Sequence, residues 1–219
     1  MAMLCALLSG TSCDRINSSE KLFKQIEERY SNNWYSNVRF KMSISRIING
    51  YETRNACSAE YLFPSQLIVK SNPLTDDGFL YRNDSIYSFM NGELVGSAAN
   101  STDPILISLD AFNYKDGQIK NTIETKFHVN TEKFCTYTDT ATNKKMYIVG
   151  IDKIDQETTE GNIWFDKETL FPQKINVFVN GELLSVVFEN YIQVAGTGWL
   201  PQKVSYYRDG NVAIIERIY

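Results

Sequence analysis

The period of apolar positions along the chain changes once, near its beginning. Leu22, Phe23, Ile26 and Tyr30 share one helical stripe, while Lys21, Lys24, Glu27, Glu28 and Arg29 take the other side, which is the spacing of an amphipathic helix. Asn17-Ser18-Ser19-Glu20 precedes the stripe with capping-box spacing. A helix of about four turns is predicted, and its stripe needs a surface to cover it. From Val38 the period is two: Val38, Phe40, Met42 and Ile44 alternate with Arg39, Lys41, Ser43 and Ser45, a half-buried strand. Further strands are predicted at 55–63, 66–70, 78–82, 85–90 and 93–95, then at 131–138, 145–151, 162–166, 173–179, 183–194, 200–207 and 212–218. Asn91-Gly92, Asn180-Gly181 and Asp209-Gly210 join such runs as hairpin turns, because both central positions of a type I′ turn need positive φ.

The main interruption lies at 101–128. Asp103-Pro104 supplies a cap followed by proline, and Ile105, Leu109 and Phe112 recur at helical spacing. Positions 118–126 predict a second helix of mediocre propensity. The expectation is an α+β chain dominated by an antiparallel sheet of about ten to twelve strands, which curls as twist accumulates. Both faces of Leu183-Leu184-Ser185-Val186-Val187-Phe188 carry large apolar residues, so the sheet needs cover on both sides or a hydrophobic ligand on one.

Composition narrows the field. Hydrophobic content of 43% and charged content of 22% suit a globular chain, and 13 Tyr and 12 Phe favour strands. A net charge of −4 without a basic run argues against nucleic-acid binding. The apolar run at 1–8 is too short to span a bilayer. Ser9-Gly10-Thr11-Ser12-Cys13 follows it and resembles the end of a bacterial lipoprotein signal, with Cys13 as the lipid-attachment residue, although Gly10 stands where Leu is usual and no Lys or Arg precedes the run. An unstructured apolar N-terminus is the alternative. The expected organisation is a leader over 1–13 and one domain over 14–219. Cys57 and Cys135 remain in the body, either as a disulfide in an oxidising compartment or as two buried free thiols.

Catalytic signals are sparse. His128 is the only histidine, and Phe127 and Val129 beside it suggest a strand entry. Asp76-Asp77, Glu27-Glu28 and the acidic stretch from Asp152 to Glu160 do not establish a paired-carboxylate cleft or a calcium loop. Asp166-Lys167-Glu168-Thr169 reads as a hairpin connection, and Gly196-Thr197-Gly198 lacks the helix that a phosphate loop requires. No cofactor or metal site is expected. Trp34, Tyr35, Trp164, Phe165 and Trp199 read as core or rim residues, and their joint exposure would instead favour glycan or peptide binding.

The order of elements resembles the LolA/LolB-like superfamily of envelope lipoprotein carriers, and its uncharacterised outer-membrane lipoprotein-sorting branch in particular. The resemblance rests on Asn33-Trp34-Tyr35, Asn83-Asp84-Ser85-Ile86-Tyr87, Tyr147-Ile148-Val149-Gly150, Ile163-Trp164-Phe165-Asp166-Lys167-Glu168-Thr169-Leu170 and Gly198-Trp199-Leu200-Pro201, spread from Leu22 to Tyr219. It implies a half-open barrel whose concave apolar face takes acyl chains of lipids or lipoproteins, in a protein lipid-anchored to a membrane and facing the periplasm. The candidate cargo wall is Val38, Phe40, Met42 and Ile44 with Ile175, Val177 and Val179. The other class is an envelope interaction or sensor module with a filled barrel that binds protein, peptide or glycan. An enzyme is a distant third.

Overall fold

The computed structural model describes residues 16–219 apart from 73, 100–102, 116, 155–159, 180–181 and 195–197. Helix α1 (Ser19–Tyr30) starts where Ser18 caps it, its hydroxyl accepting the Lys21 N–H at 3.3 Å, and it buries Leu22, Phe23 and Ile26. A first meander follows: β1 (Asn37–Ile48), β2 (Tyr51–Leu62), β3 (Gln66–Asn72), β4 (Asp77–Arg82), β5 (Ser85–Met90) and β6 (Glu93–Ala99). Helices α2 (Ile105–Asp110) and α3 (Gln118–Phe127) interrupt it. The second meander is β7 (Phe134–Thr138), β8 (Lys145–Val149), β9 (Asn162–Asp166), β10 (Pro172–Val179), β11 (Glu182–Val194), β12 (Gly198–Arg208) and β13 (Asn211–Ile218).

All strands join one antiparallel sheet of 13, in the order β6-β5-β4-β3-β2-β1-β13-β12-β11-β10-β9-β8-β7. Each meander is sequential, and the two meet only where β1 pairs with β13. The sheet is open, with β6 and β7 at its edges, and it matches the expected half-open barrel with slightly more strands than ten to twelve. The additional length of the first hairpin has a simple origin. Asn49 (φ 51°) and Gly50 (φ 80°) form another Asn-Gly turn, which extends β1 and β2 into a register of twelve paired residues. Asp209 (φ 47°) and Gly210 (φ 79°) turn β12 into β13 as expected. Asn180-Gly181 lies outside the described residues.

The core gathers α1, α2 and α3 against one face of the sheet. Phe23 packs edge-on against Phe165 of β9, with ring centroids 6.4 Å apart, and Ile119, Ile123 and Phe127 of α3 are buried in the same cluster. No described helix is long and apolar enough to cross a membrane.

Candidate functional site

Ladder registers place the two halves of the sequence-predicted wall on one face. Met42 lies opposite Ile218, and Ile44 lies opposite Glu216. Glu216 lies opposite Val204, Val204 opposite Phe188, and Val186 opposite Ile175. Since residues two apart share a face, the wall crosses β1, β13, β12, β11 and β10. Phe40, Met42, Ile175 and Val177 are buried, and Val38 and Ile44 are half-buried against the core. Val179 is paired with Glu182 in the β10–β11 ladder. Cys13 lies outside the described residues.

This face is covered. All six residues of α2 are buried, and a buried carboxylate fixes each end of the helix. Asp103 accepts the Ile105 N–H at 3.0 Å and the Tyr206 hydroxyl of β12 at 2.8 Å. Asp110 accepts the Tyr61 hydroxyl of β2 at 2.6 Å, and both the N–H and hydroxyl of Ser65, at 3.0 and 2.6 Å. Glu216 of β13 shares the Tyr206 hydroxyl at 3.1 Å. Burial pushes the Asp103, Asp110 and Glu216 carboxyls above the ordinary carboxylate range, and the charge of Asp103 pushes Glu216 further. Between α2 and α3 there remains a cavity of about 10 Å³, lined by Leu106, Ile107, Ile119 and Phe127, room for a single water at most. Among the described residues, core side chains of α1, α2 and α3 pack against this wall in this conformation.

The sheet end carrying the α1–β1, β9–β10 and β11–β12 connections is sealed by aromatics. Trp34 and Phe112 lie 4.2 Å apart between ring centroids, Phe171 and Tyr191 4.5 Å, and Phe171 and Trp199 5.5 Å. The Tyr35 hydroxyl donates to the Trp199 carbonyl at 2.9 Å. A Cβ on Gly198 would sit 2.1 Å from the Tyr35 ring, so this approach requires glycine. The Asp166-Thr169 connection forms as expected: the Asp166 carboxylate accepts the N–H groups of Glu168 and Thr169 and the Thr169 hydroxyl. Trp34, Tyr35 and Phe165 are core residues, whereas Trp164 and Trp199 are half-buried.

Open concavities lie elsewhere. One of about 570 Å³ sits on the outer face of β1–β3, between Arg39, Lys41, Ser58, Glu60, Ile68 and Lys70. Others of about 440 and 400 Å³ adjoin the β9–β10 connection and the outer face of β8–β11.

Some sequence expectations change. His128 is not at a strand entry; it is the exposed C-cap of α3 in the left-handed region, φ 52°. Cys57 and Cys135 are free thiols, on β2 and β7, with seven strands between these two in the sheet order. Asn176 of β10 is a buried polar residue held between Asn162 and Ser185, donating to one at 2.8 Å and accepting from the other at 2.7 Å. Among the described residues no group of three or more His, Cys, Asp or Glu could hold a metal ion. The buried trio Asp103, Tyr206 and Glu216 escaped sequence reasoning, although Glu216 interrupts the inward alternation of Ile214 and Ile218, a legible signal of a buried acid.

A LolA superfamily protein from Nitrosomonas europaea superposes with a TM-score of 0.55 at 12% identity, covering 93% of this chain and 92% of that one. An outer membrane lipoprotein-sorting protein domain from Vibrio parahaemolyticus gives 0.57 at 12% identity, over 92% and 91%. A DUF1329 family protein from Desulfovibrio piger gives 0.56 at 8% identity, over 92% and 90%. No protein-family model matches the chain, and no curated protein matches it. The chain has the LolA-like fold.

Proposed function

We propose that this LolA-like chain is a carrier-type binding protein of the bacterial envelope, holding acyl chains of lipids or lipoproteins between its concave wall and its helices. A lipid on Cys13 would tether it to the membrane. One observation carries the reading: the apolar wall that crosses five strands is covered by short helices rather than by a second sheet. A six-residue helix such as α2 has no stability of its own. Its place depends on packing and on the two carboxylate anchors, so it is the element that yields to a ligand. An entering acyl chain gains about 0.8 kcal/mol per buried CH₂, and one long chain therefore offsets the exposure of several core side chains at roughly 1.5–3 kcal/mol each.

The test is a triacylated lipopeptide with a photoreactive acyl chain. Cross-links to the peptides containing Phe40 and Met42, and Ile175 and Val177, are expected. Labelling confined to exposed apolar residues such as Ile48, Tyr51 and Leu94 would sink the carrier reading. Mass spectrometry of native protein tests the tether, which predicts loss of residues 1–12 and added lipid on Cys13; an intact N-terminus refutes it.

The packed interior favours a second reading, an interaction module whose helices are permanent core. It predicts no interior labelling and recognition on the outer surface.

A further inference from the structure

The concavities beside the β9–β10 connection and on the outer face of β8–β11 adjoin across Lys144, Gln173 and Asn190, which line both parts of the groove. Half-buried aromatic rings stand along both parts: Tyr30, Tyr191 and Trp199 in the first, Trp164 in the second. Where the parts join, the backbone is irregular. Asn190 lies within β11 at φ 56°, a left-handed conformation between the Glu189–Lys203 and Tyr191–Pro201 pairs, with the register unshifted across it. Its exposed amide has no hydrogen-bond partner among the described residues.

Two cations of the groove lack a carboxylate partner among the described residues. Arg29 donates to the Glu168 carbonyl at 2.6 Å and lies over the Tyr30 ring. Lys174 lies 5.6 Å above the Trp164 ring, and burial alone pushes its ammonium below the ordinary lysine range. By contrast Lys144 is engaged by Gln173 at 2.7 Å, and Glu189 is paired with Lys203 at 2.7 Å.

We propose that this groove binds a short acidic oligosaccharide. Sugar rings present apolar C–H faces that stack on aromatic rings, and their hydroxyls match the donor and acceptor atoms of Asn190 and Gln173. A sugar carboxylate would satisfy Lys174 or Arg29. Two alternatives fit less well. An extended peptide would need a free strand edge to pair with, but β8–β11 each have two neighbours already. A polyphosphate has no apolar face to place on Trp164, Tyr191 or Trp199. The proposal is independent of the acyl-chain reading, since the Trp164 and Lys174 side chains lie on the opposite face from Ile163 and Ile175.

Two of the chain's three tryptophans line the groove, so titration by intrinsic fluorescence reads it directly. The probes are tetragalacturonate, neutral chitotetraose and tetra-aspartate, added to the wild-type chain. Saturable quenching by tetragalacturonate is expected, with affinity about tenfold lower in Lys174→Met, the scale of one charge-assisted contact. Asn190→Gly keeps the left-handed backbone, removes the amide, and should weaken binding severalfold. Both variants should melt as the wild type does. Absence of saturable quenching by tetragalacturonate, equal binding of chitotetraose or tetra-aspartate, or unchanged affinity in the two folded variants would overturn the proposal.

Discussion

Strands β6 and β9 belong to the same sheet and share its hydrogen-bond ladder, yet they occupy opposite environments. In β9, Ile163 and Phe165 are fully buried towards the helices, and on the other side Asn162 takes the Trp164 indole N–H at 2.7 Å. In β6 every residue is exposed, with Leu94 and Val95 each 58% accessible. Backbone pairing is common to both, so it cannot account for the difference. Cover does: α1 reaches β9 through Phe23, whereas β6 is an edge strand and no core residue comes from it. Apolar area removed from water is what holds this fold, and the sheet is unevenly supplied with it.

Four measurements sharpen the contrast. The largest effect is expected from Met42→Glu, which places a charge in the covered wall at a residue 3% exposed; it should cost about 3–5 kcal/mol and unfold the chain or nearly so in a urea titration. A folded, native-like variant would show that the wall is loosely covered. Phe165→Ala should cost about 3–4 kcal/mol by transfer and cavity terms together. Third comes pH. Burial raises Asp103 and Glu216, which face Tyr206, so the folded chain binds more protons than the unfolded chain above the ordinary carboxylate range. The stability they contribute is therefore present at low pH and lost as pH rises through the raised values. Melting temperature should fall as pH rises above the ordinary carboxylate range, and Glu216→Gln should flatten the slope; a rise in melting temperature there would contradict the assignment. The smallest effect is Leu94→Ala on β6, within about 0.5 kcal/mol.

Period and turn chemistry carried most of the fold. The strand over 162–166 and the one over 85–90 appear with the predicted bounds, because each is bracketed by turn residues. The Asn49-Gly50 turn was equally legible and lengthens β1 beyond the four inward residues that the alternation revealed. The wall was visible because Val38, Phe40, Met42 and Ile44 keep strict alternation. What covers it was not: α2 owes its place to Tyr61 and Tyr206, partners far away in the sequence. The outer groove was hidden for a similar reason, since Lys174 is inconspicuous in the sequence and comes beside Trp164 only when β9 and β10 pair.

The single junction between β1 and β13 has a consequence for synthesis. Each meander closes its own ladders with neighbours already made, but Met42 must wait for Ile218. Until β13 emerges from the ribosome, β1 presents a free edge of apolar alternation, the kind of surface that recruits other strands. A nascent chain arrested after β12 should therefore depend on holding chaperones, and supplying the β13 segment as a separate peptide should relieve that dependence.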